Sequence, residues 1–549
     1  MTVMGGGVAN QTTITGGTQI VSSGGAASGT TVSSGGLQMV SGGGVTRGTT
    51  VFDGGQQLVS SGGIASATAV MGGGQQNVLS GGMASGTTVS DSGTQAISGG
   101  GVADGTTLTS GGQQAVSSGG AANQTTIGDG GTQSVSSGGL ASTTAIMSGG
   151  QQNVLSGGMA SGTTVSNGGA QTISAGGLAS GTTVLSGAQQ AVSSGGTAKG
   201  TQVVDGGTQI VFEGATVLDA IVGSGGTQIV SSGSVTSGAA LMGGMQNVSS
   251  GGTATATAIG SGGLQTVEAG GEADGAVVSQ GGMQQVASGG VASSTEVGSG
   301  GTQSVEAGGV VNAASVDAGG AQIVSSGALT SGVALNSGAQ TVLSGGIANA
   351  TGVNAGGTQT VSSGGLTHAT QVASGGMQTV SAGGVASGTQ VASGGMQDLF
   401  GSADLSVIQG MQQVHSGGVS SRASIGDGGT QVLMAGGVAN GAIVAGGVQQ
   451  VSSGGTTNLT TISSGGVQRV ASGGPRQRHD GPRGRHGPGA RHDERCGHRC
   501  ERHAADERRG PDGQRDQQRR ADLRRVRQQP LRATPCPATA CWSRTARAR

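Results

Sequence analysis

Aliphatic and small polar residues alternate along most of this chain in a pattern that restarts every nineteen residues. A glutamine marks each unit, from Gln19 and Gln38 onward to Gln468, and there are 25 such glutamines. The second residue after each glutamine is aliphatic, and the thirteenth is Val, Ile or Leu in nearly every unit. We predict that these two columns form the core. Their first members are Val21, Val40, Val59 and Val78, and Val32, Val51, Val70 and Val89.

The segments around these valines are short, alternating and rich in β-branched residues, which is typical of strands. A Gly-Gly pair follows almost every segment and supplies the backbone angles of sharp turns. A helix is excluded, because each such pair would cost it about 2 kcal/mol. One coil cannot bury its valines alone, but stacked coils can. The pattern therefore predicts an all-β fold, a parallel β-solenoid of about 25 coils of 19 residues each.

The columns between the valines are predicted to differ in burial. A third column, eight residues after each glutamine, is small, as at Ala27 and Ala65, and is assigned to the interior. The Ser, Thr and Gln columns are predicted to face solvent as polar ladders along a rod of about 120 Å. The step shortens before Gln246, Gln340 and Gln412, and we expect these losses in turns. The stretch 398–408 departs most from the pattern, as a decayed repeat, a bulged coil or a small binding feature.

The composition changes abruptly after Gly474. Residues 1–474 carry 4 basic and 16 acidic side chains and no cysteine, whereas residues 475–549 carry 20 basic and 9 acidic ones with every Pro, Cys and Trp. This divides the chain into a repeat domain, 1–474, and a basic tail, 475–549, that is predicted to be disordered. Read one base out of frame, codons for Pro475–Gly481 can encode the expected repeat, so the tail has the character of frameshifted repeat DNA.

Candidate chemistry is sparse. Cys496 and Cys500 with two nearby histidines do not match the spacing of a zinc finger, and the arginines lack the interleaved aromatics of a nucleic-acid-binding arm. In the repeat domain, His368 and His415 and the four basic residues are scattered. We therefore predict no enzyme activity, no catalytic residue, no metal, no cofactor and no nucleic-acid partner.

The unit at residues 16–34, GGTQIVSSGGAASGTTVSS, resembles the AIDA-type repeat of self-associating autotransporter adhesins from Gram-negative bacteria. The resemblance covers about residues 5–474. It implies a right-handed β-helical passenger of type V secretion, carried to the cell surface or outer membrane by a translocator barrel, or secreted. It also implies adhesion to host or abiotic surfaces, self-association of passengers, autoaggregation and biofilm formation.

The resemblance further implies glycosylation, because repeat serines of some members are O-heptosylated by a heptosyltransferase. The candidate acceptors are Ser22, Ser23, Ser33 and Ser34 and their equivalents. The chain departs from the family in showing neither a signal peptide nor a barrel segment. We accordingly keep a truncated, non-functional fragment as an alternative.

Two other functions stay open. A glycan-processing β-helix enzyme would need carboxylates clustered on one face of the stacked coils. An ice-binding solenoid would need a flat Thr-x-Thr face, whereas Thr30 and Thr31 are adjacent and point to opposite sides. For the adhesin, we expect the rods to associate laterally through polar Ser, Thr and Gln faces.

Overall fold

The computed structural model describes residues 1–472, which fold into three short strands per coil. The first regular coil contains Thr18–Val21, Ala26–Ser28 and Thr31–Ser33, and the next coil starts at Leu37–Val40. Equivalent strands stack into three sheets, which we call face 1, face 2 and face 3 in that order. They contain 26, 25 and 25 strands, and residues 1–472 include no helix.

Every strand pairs in parallel with its equivalent one coil away. On face 1, Gln19 lies beside Gln38 and Val21 beside Val40, and on face 2 Ala26 lies beside Val45. The step from coil to coil is nineteen residues over most of the described chain, so each column of the sequence becomes a ladder of identical or similar side chains. The predicted all-β parallel solenoid of about 25 coils is confirmed.

The aliphatic columns fill the interior. The eight valines that the sequence assigned to the core all have an exposed fraction of 0%. The alanine column of face 2 joins them, with Ala65 at 0% and Ala27 at 3%. Burial of these small, regular side chains coil by coil, and not one compact core, holds the described part of the chain together.

The prediction that the glutamine column faces solvent is wrong. Gln38, Gln57 and Gln76 are 0% exposed. The reason is strand geometry: side chains two residues apart point to the same side, and each of these glutamines precedes a buried valine by two positions. Twenty-four successive hydrogen bonds of 2.6–2.8 Å join the 25 glutamines, each Nε2 donating to the Oε1 of the preceding coil.

One threonine column is also internal, for the same reason. Thr49 and Thr68, each two residues before a buried aliphatic side chain, are 1% exposed. The Thr49 hydroxyl donates to Gln38 Oε1 at 3.1 Å, and the Thr68 hydroxyl to Gln57 Oε1 at 3.2 Å. Each of these glutamine oxygens thus accepts two hydrogen bonds, which satisfies a polar group that would otherwise be costly to bury.

The Gly-Gly pairs have two distinct tasks, which the turn at residues 60–63 illustrates. Gly63 N donates to Ser60 O at 2.8 Å, and Ser61 and Gly62 have φ angles of 47° and 80°. Two consecutive positive φ angles define a type I′ turn. A Cβ on Gly63 would lie 2.2 Å from Val40 O, so the first glycine supplies the turn angle and the second permits close stacking on the coil below.

The shortened repeats lose residues in turns, as predicted. Only two residues connect Ala240–Met242 to Met245–Val248, and only two connect Ala334–Asn336 to Ala339–Val342. The glutamine ladder continues across both sites with hydrogen bonds of 2.6 Å. The predicted boundary at residue 474 and the tail 475–549 lie outside the described residues.

Candidate adhesive surfaces

The first residue of each face 2 strand points outward, and in ten consecutive coils it is aliphatic or Met. The column is Val8, Ala26, Val45, Ile64, Met83, Val102, Ala121, Leu140, Met159 and Leu178. Its most exposed members are Val8 at 67% and Met83 at 51%. We call these ten residues the first apolar run. Exposed apolar surface that is continuous over such a length marks an interaction site.

A second apolar run follows in the same column after five coils. It consists of Val291, Val310, Leu329, Ile347, Leu366 and Val385, and after Ser402 the column continues with Val419 and Val438. The five coils between the runs carry Thr197, Thr216, Val235, Thr253 and Glu272. Sequence analysis missed this column because it precedes the buried alanines by one position. Strict alternation from those alanines would have placed it outside.

The third residue of each face 2 strand also points outward, and this column is polar. Ser and Asn fill most of it; Ser28 Oγ donates to Asn10 Oδ1 at 2.8 Å in one such pair. Charged or titratable side chains interrupt the ladder at six positions: Arg47, Asp104, Lys199, Asp274 and His368, which are exposed, and Asp404, which is half-buried. Over the two apolar runs, face 2 therefore presents an apolar column beside a polar one.

The predicted glycan acceptors lie in two turns of the first regular coil. Ser23 and Ser34 are exposed, at the tips of type I′ turns with φ angles of 49° each, and Ser22 is half-buried. Ser33 is 8% exposed, since its side chain lies against the coil. The structure thus presents Ser23 and Ser34 most openly and Ser33 least.

The stretch 398–408 keeps all three strands and loses two turn residues at each of two corners. Its strands are Met396–Leu399, Ser402–Asp404 and Val407–Ile408. Phe400 stacks on His415 of the next coil, with ring centroids 4.1 Å apart and planes 9° apart. His415 Nε2 lies 3.4 Å from Asp398 Oδ1. The coil is therefore regular inside and carries an unusual cluster outside.

An ion pair ties the same coil to the next one. Arg422 Nε donates to Asp404 Oδ1 at 2.9 Å, and the second guanidinium nitrogen bonds the other carboxylate oxygen. This hydrogen bond, and then the negative charge of Asp404, raise the pKa of Arg422 above its usual value. Because the arginine is fully exposed, solvent screens the pair and it contributes little to stability.

Within residues 1–472, no three His, Cys, Asp or Glu side chains come close enough together to hold a metal ion. The same residues contain no helix long and apolar enough to cross a membrane. The described surface consists of columns of equivalent side chains, one from each coil.

The described residues form a parallel β-solenoid with a buried ladder of glutamine amides and outward columns of side chains. This is a stalk-type structure. The AIDA family profile, described as "Adhesin of bacterial autotransporter system, probable stalk", matches residues 97–150 and 150–207. The glutamine column and the paired glycines continue through the described coils on both sides of that match. The chain thus carries the AIDA-type repeat, which the family description assigns to the probable stalk of a bacterial autotransporter adhesin.

Three solved structures resemble the chain weakly. A hyper-glycosylated TibA fragment, glycosylated by TibC, shares 29% identity at a TM-score of 0.28 over 68% of this chain and 97% of that one. Two mutants of the periplasmic alginate epimerase AlgG share 10% and 9% identity at TM-scores of 0.10 and 0.09. They cover 70% and 66% of this chain and 77% and 78% of their own. Such TM-scores establish no common arrangement of coils. No curated protein matches the chain.

Proposed function

We propose that this passenger is a non-enzymatic, surface-exposed adhesin whose rods associate with one another in antiparallel pairs through face 2. The observation that carries the proposal is the apolar column of face 2: eight of the sixteen residues in its two runs are exposed, and the other eight are half-buried. Because the glutamines are buried, the polar Ser, Thr and Gln interface expected from the sequence is replaced by an apolar one. In this account, contact with host or abiotic surfaces uses the faces that pairing leaves open.

The geometry favours antiparallel over parallel rods. When two rods meet face to face in antiparallel directions, the two-fold axis runs along the strands, so each face 2 column meets the same column of the partner. In parallel rods the axis runs along the rod, and the apolar column would meet the polar one. When both columns of the face take part in the contact, only the antiparallel pair sets apolar side chains against apolar ones and polar against polar in a closed, self-complementary contact.

An overlap of all the described coils also matches the two apolar runs. Of the 25 described strands of face 2, the thirteenth, Val235–Ser237, then lies on the axis and faces its own copy. The first apolar run then faces the coils that begin with Val291 and contain the second run. Each such contact covers about 45 Å by roughly 10 Å, and two contacts bury about 1,800 Å² in total, which is the size of a specific interface.

Four charged or titratable positions of the polar column are complementary in the same arrangement, whereas Arg47 and Asp404 face uncharged serines. Lys199 lies on the eleventh strand and Asp274 on the fifteenth, so the two-fold brings them opposite each other, twice per pair. Asp104 on the sixth strand likewise faces His368 on the twentieth. Glu272 faces Thr197, whereas parallel rods in register would place Glu272 opposite Asp274 of the other rod, a like charge.

A charge swap in the full-length chain tests the pairing. Lys199→Asp should weaken self-association about fivefold to thirtyfold, since replacing the attraction by a repulsion costs in total roughly 0.5–1 kcal/mol at each of the two contacts. Lys199→Asp combined with Asp274→Lys should restore it. Sedimentation equilibrium measures the dissociation constants.

Arg47→Asp is the matched control, because it changes the net charge equally but faces the uncharged Ser421 in the pair. It should have little effect. Equal weakening by Arg47→Asp, or failure of the double variant to recover, would show that these residues do not meet in the pair.

We also propose Ser22, Ser23 and Ser34, with their equivalents, as O-glycan acceptors for a heptosyltransferase, supported by their exposure in turns. Ser33 is the weakest of the four candidates because it is buried. Peptide mass mapping after co-expression with such an enzyme should find sugar at Ser23 and Ser34. Modification confined to Ser33 would contradict this.

A further inference from the structure

The residue that follows each face 1 strand forms an outward column in which most coils place a small side chain. In the stretch that concerns us the column reads Ser362, Ser381, Phe400, His415 and Met434, as their backbone bonds to the preceding coil show. Phe400 is 39% exposed. Along this column, two serines are thus followed directly by a large aromatic side chain.

The two faces of the Phe400 ring have different surroundings. His415 covers one face at 4.1 Å, and contact with Asp398 holds His415 in that place. The other face points back along the rod toward Ser381, whose side chain is too short to cover the ring. Asp398 and Phe400 are two residues apart and share the outward side of face 1. An open aromatic face therefore lies beside a carboxylate that is 19% exposed.

The turn at this corner is cut away, which opens access to the ring. Regular turns between face 1 and face 2 have four residues, and their glycines form a ladder in which Gly364 N donates to Gly383 O at 2.8 Å. Only Phe400 and Gly401 connect the strands of this coil. The glycine ladder resumes one coil later, where Gly417 N donates to Gly436 O. The ring lies in this gap of the turn ridge.

We propose that Phe400, Asp398 and Ser381 form a binding subsite for one neutral pyranose unit of a surface glycan. The electron-rich ring face attracts the polarised C–H groups of a sugar ring. The Asp398 carboxylate accepts hydrogen bonds from sugar hydroxyls. The hydroxyls of Ser381 and of Thr379, which lies beside Asp398 in the preceding coil, can donate or accept. His415 is a positioning residue that keeps the aromatic face fixed.

The charge of the site selects the sugar. Among the described residues Asp398 contacts the imidazole of His415 but no Lys or Arg, and the repeat domain carries 16 acidic and only 4 basic side chains. A uronic or sialic acid would be repelled, whereas a neutral hexose would not. The site is on face 1, so it is independent of pairing through face 2 and does not rest on that proposal.

Phe212 provides a matched control within the same chain. It occupies the same column, as its backbone bond to Val192 shows, and is 42% exposed, close to the value for Phe400. Its neighbours in the column are serines on both sides, Ser193 and Ser231. The residue two positions earlier is Ile210, so Phe212 has no carboxylate at the position that corresponds to Asp398 and no stacked imidazole; Glu213 follows it in the turn.

Saturation-transfer NMR on the full-length chain tests the proposal. The probes are methyl β-galactopyranoside, methyl β-glucopyranoside and methyl α-mannopyranoside, with methyl β-glucuronide as the charged comparator. We expect transfer to one ring face of at least one neutral probe and not to the glucuronide. Phe400→Leu, which fills a similar volume without the aromatic face, should weaken that binding about fivefold to tenfold. Phe212→Leu should leave it unchanged.

Two further measurements make a negative result decisive. Asp398→Asn should weaken binding of the neutral probe, and circular dichroism should report the same fold for every variant. Phe400→Leu should leave the sedimentation behaviour unchanged, which separates this site from self-association. Absence of transfer to all neutral probes, equal transfer to the glucuronide, or equal loss in Phe212→Leu would each overturn the proposal.

Discussion

At the residue scale, the buried glutamine is the least expected feature of the repeat. An amide inside a β-solenoid is costly unless all its hydrogen-bonding groups are used, because each unsatisfied group costs about 1–3 kcal/mol. Here each Nε2 donates to one neighbouring coil and each Oε1 accepts from the other, often with a threonine hydroxyl in addition. Such amide ladders are typical of parallel in-register stacks, and they fix the register of the coils.

A matched pair of substitutions measures the ladder. Gln76 is buried and bonds Gln57, Gln95 and Thr87, whereas its neighbour Gln75 is exposed. Gln76→Leu should destabilise its coils by about 1–3 kcal/mol per group left unpaired, while Gln75→Leu should change little, since leucine occupies that column elsewhere, as at Leu37.

Hydrogen exchange is the appropriate measurement, because solenoid stability is local and the loss should appear in the coils around residue 76. Similar protection in the two variants would contradict a stabilising role for the ladder.

At the element scale, the strands and turns could be predicted from the sequence because every repeat contains the same local signals for them. Alternation with β-branched residues predicted the strands, paired glycines predicted the turns, and the shortened steps fall in turns as expected. Deletion of a turn residue only shortens one turn. Deletion of a strand residue would instead move the side chains that follow it from the inside to the outside of the coil, and the reverse.

The direction of individual columns was predicted less well. The polarity of glutamine suggested that this column is exposed, whereas the two-residue spacing from Gln19 to Val21 places both side chains on the same side of the strand. The structure shows that the glutamines are buried with the valines. The apolar column of face 2 was overlooked for the converse reason: aliphatic side chains were assumed to be internal. The sugar subsite at Phe400 depends on two shortened turns and a ring stack between coils, which no local pattern displays.

At the scale of the whole described unit, stacking makes long surfaces from single positions. One aliphatic residue per coil forms the first apolar run of ten residues. One charged residue every several coils forms a pattern whose contacts differ between antiparallel and parallel pairs of rods. The surplus of 16 acidic over 4 basic side chains in the repeat domain opposes association at long range. Pairing therefore needs the apolar contact and its few complementary charges.

Symmetric disulfide formation tests the antiparallel pair most directly. The background replaces the four cysteines, which all lie in residues 496–541, by serine. Val235→Cys places one thiol on the central strand, where the two-fold brings it against its own copy. Ile64→Cys, on the fourth strand, would face Ser402 on the twenty-second and so should need Ser402→Cys as a partner.

The account predicts that oxidation yields a covalent dimer on a non-reducing gel for Val235→Cys alone. It predicts none for Ile64→Cys alone, and a dimer for Ile64→Cys with Ser402→Cys. Disulfides need Cβ atoms about 3.8 Å apart, so rods in another arrangement would not satisfy all three results. Dimers of Ile64→Cys alone, or no dimer of Val235→Cys, would contradict the antiparallel pair.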